Sequence, residues 1–94
     1  MPRFKSSDTE DVFNGLTPKC YPAEILRRAA MKLGAVHDAA SLSYLRSPPG
    51  NRLEKLVGAE DTWSIRVNQK WRIIFIWNGE RAEEIRLDPH DYDI

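Results

Sequence analysis

Apolar residues in this 94-residue chain recur with two different periods, and the change of period divides it into a helical part and a sheet part. Ile25, Ala29, Leu33, Val36 and Ala40 stand three or four apart, which predicts one long helix over residues 22–40 with a single apolar stripe. Pro22 suits its first turn, where a missing N–H costs nothing, and Gly34 weakens its interior somewhat. Arg27, Arg28 and Lys32 fall on or near the polar side, where solvated surface accounts for them. Ahead of this helix, Ser7 and Glu10 have capping-box spacing and predict a short helix ending near Gly15, and residues 3–5 suit an opening strand.

From Trp63 the period becomes two. Trp63, Ile65 and Val67 alternate with Ser64, Arg66 and Asn68, residues 68–70 supply a reversal, and residues 71–77 form a second strand. Between the two halves, Pro48, Pro49 and Gly50 break regular structure, so residues 41–58 are expected to be a short turn and a connecting loop. Asn78-Gly79 predicts a type I′ hairpin with those two residues in the loop, Trp77 facing Glu80, and Arg72 opposite Ile85 of a third strand over about residues 82–87. Trp71, Ile73, Phe75 and Trp77 then share one face, and Arg72, Ile74 and Ile76 the other. A strand apolar on both faces belongs in the middle of a sheet. The expected fold class is α+β: N-terminal helices packed on a small, mainly antiparallel sheet of three strands, with residues 3–5 as a possible fourth, in one domain over residues 1–94.

Composition narrows the class. With 41% hydrophobic and 30% charged residues the chain has a globular balance, and no apolar run approaches the ~18 residues that span a bilayer. Cys20 stands alone, which excludes an intramolecular disulfide and agrees with a reducing compartment; no secretory signal is visible, so a cytoplasmic location without membrane association is expected. The zero net charge hides a partition. Residues 19–77 hold ten Lys/Arg against five Asp/Glu, and residues 78–94 hold two against six. A basic middle beside an acidic end can attract a polyanion and offer carboxylates for chemistry, although chance surface charge gives similar asymmetry.

No P-loop, GxGxxG, HExxH or paired-cysteine motif is present, and His37 lacks a second histidine at i+4, so it is read as a helix residue rather than a metal ligand. Arg72 is the anomaly, because an unpaired guanidinium inside an apolar pattern must reach the sheet margin, a carboxylate or an anionic ligand. The tail, "RLDPHDYDI", carries His90, Asp91, Tyr92 and Asp93, either as a polar, fraying terminus or as groups able to move protons. Together these parts suit RNA cleavage without a metal or other cofactor: a base takes the 2′-hydroxyl proton, a cation stabilises the phosphorane, and an acid protonates the leaving 5′-oxygen. Arg72 is the expected cation, with Arg52, Arg66 and Lys70 as auxiliary RNA contacts, His90 the best intrinsic acid or base, and Tyr92 able to stack a base.

The segments "PPGNRLEKLVG", "WSIRVNQKWRIIFIWNG" and "DPHDYD" resemble the HigB group of toxins within the RelE-type bacterial toxin superfamily. The resemblance implies a RelE-like fold, ribosome-dependent cleavage of messenger RNA, neutralisation by a HigA-type helix-turn-helix antitoxin, and promoter DNA contacted only through that antitoxin. It also implies that Arg72 is the phosphate-binding arginine and that Asp91 and Tyr92 match the Asp-Tyr of a C-terminal Asp-Tyr-His. The chain departs from the pattern twice: Val57 stands where the family often has lysine, leaving Lys55 as the nearby cation, and Asp93 replaces the closing histidine. These departures motivate an alternative, a catalytically weak homologue acting mainly as the antitoxin's partner in a repressor complex. A plain RNA-binding module, which needs the basic sheet but not the tail, is a third reading.

Overall fold

The computed structural model describes residues 3–46, 49–58 and 60–89, which form two α-helices, two 3₁₀ turns and a four-stranded sheet. Helix α1 spans Ser7–Phe13. Its N-cap is Ser6 rather than Ser7, because Lys5 N–H still donates to Ile85 O at 2.9 Å and the helix begins as soon as that extended contact ends. Ser6 Oγ accepts from the Thr9 N–H at 3.2 Å, satisfying one of the free donors of the first turn. At the other end Leu16 N–H reaches Asp11 O at 2.8 Å and Gly15 N–H reaches Val12 O at 3.0 Å, a Schellman closure that needs the positive φ of Gly15.

Helix α2 spans Ala23–Asp38 with Pro22 as its N-cap, and it buries Ile25, Ala29, Leu33 and Val36. It stops two residues short of the expected end. Ala39 takes an extended conformation and is buried in place of the exposed Ala40, while Arg3 Nη2 donates to His37 O at 2.7 Å. A cation on the last carbonyls is favourable at the negative end of the helix dipole. His37 itself sits among rings, 4.7 Å from Phe13 and stacked 5.9 Å from Phe4, with its Nδ1 2.9 Å from Asp38 Oδ1.

The segment expected to be loop contains more. After 3₁₀ turns at Leu42–Arg46 and Pro49–Asn51, strand β1 (Glu54–Lys55) pairs antiparallel with β2 (Thr62–Arg66), so this edge, not residues 3–5, supplies the fourth strand. Asn51 anchors the passage: its Nδ2 donates to Leu45 O at 3.2 Å and its Oδ1 accepts from Lys32 Nζ. Phe4 makes only a single parallel bridge with Ile85. No helix among the described residues is long and apolar enough to cross a membrane.

Strands β3 (Trp71–Trp77) and β4 (Ala82–Pro89) complete the order β1-β2-β3-β4, antiparallel throughout. Their register differs from the expected one. Asn78 Oδ1 accepts from both Glu80 N–H (2.8 Å) and Arg81 N–H (2.9 Å), which centres the reversal on Gly79 and Glu80 and sets Trp77 opposite Ala82 instead of Glu80. An irregularity between Ile74 and Ile76, with Glu84 at φ +49°, then inserts one residue into β4, so Arg72 faces Asp88 instead of Ile85. The expected division of faces holds: Trp71, Ile73 and Phe75 join Ile65, Val67, Ile85 and Leu87 against the buried stripe of α2 and Val12 of α1. Each such fully buried large side chain contributes about 1.5–3 kcal/mol.

Thr9 ties the helical layer to β4, its buried Oγ1 accepting the Leu87 N–H at 3.1 Å and lying 3.3 Å from Tyr21 Oη. Replacement Thr9→Val keeps the shape and strands a buried N–H, so urea denaturation should show a loss of about 1–3 kcal/mol at unchanged m-value. A loss below about 0.5 kcal/mol would show that this bond does not hold the layers together.

Candidate functional site

Strand alternation carries a row of charge across the sheet face turned away from the helices. Arg66 of β2, Arg72 of β3 and Asp88 of β4 are direct cross-strand neighbours, and the adjoining row runs Glu54, Ser64, Ile74, Arg86. Two arginines directly opposite one another repel, so the arrangement needs flanking acceptors. Arg66 Nε donates to Asn68 O at 3.1 Å, drawing that guanidinium towards the β2–β3 turn. Arg72 Nη1 meets Glu54 Oε1 at 3.2 Å, and Arg86 Nε lies 4.0 Å from Asp88 Oδ1.

The Arg72–Glu54 pair decides what this face can do. The arginine side chain is 15% exposed and the carboxylate 58% exposed, so the guanidinium is largely covered, on the interior strand β3, while its partner on the edge strand β1 faces solvent. A contact through one nitrogen leaves the guanidinium with donors to spare, and gripping an anion through two parallel bonds gains more and does so with directional selectivity. One Arg72 nitrogen is used by Glu54, and among the described residues the guanidinium has no other partner. Further along the same face, Ile74 and Ile76 line a hollow of about 200 Å³ with Lys5, Glu84 and Arg86 around it; Arg72 does not line it. Ser64 Oγ, on the same face between Glu54 and Ile74, is the one buried side-chain polar atom among the described residues without a partner.

The sequence-predicted residues distribute unevenly. Arg66 and Arg72 come together in the row, and Lys70 is exposed in the turn that joins their strands, its N–H donating to Asn68 Oδ1 at 2.9 Å. Lys55 points to the opposite face, where its Nζ lies 6.0 Å from the Trp63 ring. Arg52 is exposed with φ +48° in the approach to β1, away from any described partner. His90, Asp91 and Tyr92 lie outside the described residues. The last described residue, Pro89, pairs with Trp71, so the tail is attached one position beyond the Arg72 row. Glu54, Arg86 and Asp88 were not anticipated: Glu54 falls in a stretch read as loop, and the other two are brought to Arg72 by a bulge with no local sequence signature.

The chain matches the family model for HigB-like toxins, described as the RelE-like toxin HigB of type II toxin–antitoxin systems, over residues 4–90. Asp91 and Tyr92 lie just beyond that match. It is 44% identical over 72 residues to Toxin HigB-1 of Vibrio cholerae serotype O1, covering 76% of each chain. It is also 35% identical over 81 residues to an uncharacterized protein of Haemophilus influenzae, covering 85% of this chain and 80% of that one.

If Arg72 is held for an external anion and is not a strut of the sheet, a double-mutant cycle of Arg72→Leu and Glu54→Ala, read by urea denaturation, should give a coupling of about 0.2–1 kcal/mol. A coupling above about 2 kcal/mol would make the pair a structural element.

Proposed function

The chain belongs to the HigB-like family of RelE-like toxins from type II toxin–antitoxin systems, and we propose that it acts by cleaving messenger RNA on the translating ribosome. A toxin of this type has an antitoxin partner; the proposed one is a HigA-type helix-turn-helix protein, which would also make the promoter DNA contacts of the complex. The proposed setting is the cytoplasm, where ribosomes are.

The observation that supports cleavage most is the guanidinium of Arg72, held on the charged face of the sheet by one nitrogen to a carboxylate that is itself exposed. In the proposed reaction the 2′-oxygen attacks the adjacent phosphorus, the P–O5′ bond breaks, and a 2′,3′-cyclic phosphate and a free 5′-hydroxyl result. Arg72 stabilises the charge that builds on the phosphorane oxygens, where a preorganised donor is worth most. The phosphate takes the place of Glu54 on the guanidinium. The 2′-hydroxyl proton leaves to His90 or Asp91 and the 5′-oxygen gains one from the same tail, while Tyr92 positions the substrate. Released from Arg72, Glu54 is a further proton acceptor on the same face. Arg66 and Lys70 extend the phosphate contacts towards the β2–β3 turn, and the Ile74–Ile76 floor suits the flat face of a base. The route uses side chains alone.

Induced expression in a bacterial host followed by mapping of transcript ends tests this. Wild type should arrest growth and generate new ends, Arg72→Ala should lower cleavage by about 10²–10³-fold, and Arg72→Lys should restore only part of it. Absence of new ends with wild type would overturn the nuclease reading. The alternative, a weak homologue serving as the antitoxin's partner in a repressor complex, draws support from the carboxylate already seated on Arg72 and from Val57, fully exposed beyond β1 where the family often has lysine.

A further inference from the structure

One edge of α2 carries two adjoining grooves that the described chain leaves unfilled. The first, about 630 Å³, runs between α2 and the β2–β3 turn, with Arg28 and Lys32 on one wall and Asn68 on the other. The second, about 670 Å³, lies between α2 and the loop after α1, and its walls are apolar, Leu16, Leu26 and Ala30 among them. Arg27 and Met31, one helical turn apart, line both grooves and form the ridge between them.

Both halves of this surface lack a complement. Leu16 is 57% exposed and Met31 71% exposed, two adjacent large apolar side chains rather than scattered ones. On the cationic side Arg27, Arg28 and Lys32 face one acid, Glu24. The cations are preset: Arg28 Nη1 reaches Val67 O at 3.4 Å and Lys32 Nζ bonds Asn51 Oδ1. Burial, and then the charge of Arg28, pull the Lys32 amine below its ordinary range, a cost that an arriving anion relieves.

We infer that this double groove is the docking surface for the antitoxin, and that the occupant is an amphipathic helix whose apolar stripe lies along Leu16, Leu26 and Ala30 while carboxylates on its flank reach over the Arg27–Met31 ridge. The inference rests on the chain's being a type II toxin and not on its cleaving RNA. A ridge of residues four apart between two grooves is the relief against which a second helix packs. A nucleic acid would satisfy the cations and leave the apolar groove uncovered; a protein helix covers both. Because α2 packs on the sheet face opposite Arg72, the docked helix does not cover the Arg72 face.

The test uses the full chain and, as probe, the purified protein encoded by the reading frame adjoining its gene, titrated by calorimetry. Arg27 and Met31 are exposed and make no described hydrogen bond, so Arg27→Glu and Met31→Asp preserve the fold, checked by an unchanged urea midpoint. Each should weaken binding by about tenfold or more and the pair by more, Arg27→Ala should lose less in the same direction, and Arg72→Ala should stay within about twofold of wild type. Expressed in cells, the double variant should arrest growth like wild type and no longer be rescued by the partner. Wild-type affinity in the double variant, no binding of the probe to wild type, or loss of single-stranded RNA binding with partner binding intact would each overturn the inference. Failure of wild type to cleave transcripts would count against the proposed activity alone, since the titration decides the surface independently.

Discussion

The pairing of β3 with β4 is the constraint on which the rest of the molecule depends. Side chains on neighbouring strands share a face only in one phase of the pleat, so a slip of one residue exchanges core for surface along the whole strand. Here the phase is set at two points: the Asn78 carboxamide, which captures two backbone N–H groups and moves the reversal onto Gly79 and Glu80, and the extra residue at Glu84. Between them they put Ile85 and Leu87 into the core and bring Asp88 level with Arg72. Any shift of that register would separate the arginine from its acidic neighbour and, in the same step, expose the strand's apolar face.

The sheet thereby separates two kinds of chemistry. Its helix-facing side is continuous hydrocarbon, and its outer side carries Arg66, Arg72 and Arg86 against Glu54, Glu84 and Asp88, a face of nearly balanced charge. Three further cations of the basic middle of the chain, Arg27, Arg28 and Lys32, lie elsewhere, along α2. A face of nearly balanced charge is poorly suited to general attraction of polyanions at long range. The two surfaces share the scaffold without overlapping.

Much of this was legible in the sequence because it rests on periodicity. The stripe Ile25, Ala29, Leu33, Val36, the alternation from Trp63, the reversal at residues 68–70 and the division of β3 into two faces all follow from spacing, and the structure has them. Phase was not legible. Asn-Gly announces a tight turn, but whether Asn78 enters the loop by its backbone or caps it by its side chain depends on the strands on either side, and nothing local marks Glu84 as a bulge. The two-residue strand at Glu54–Lys55 is invisible for a related reason: its existence comes from the neighbour at Trp63 and Ser64, not from its own composition. The arginine could be singled out from sequence, and its carboxylate partner from 18 residues away could not.

The segment that opens the chain closes the fold. Arg3 Nε holds Ala82 O at 2.9 Å, Phe4 bridges Ile85, and Thr9 receives Leu87 N–H, contacts that span nearly 80 positions of sequence. Synthesis proceeds from the amino end, so residues 3–13 can meet α2 early, through Arg3, Phe4 and Phe13 at His37, but not β4, and contacts of such long range form late. The first residues of the chain are thus fastened to its last strand, and the sheet edge at β4 is the seam where the two ends of the polypeptide are sewn together.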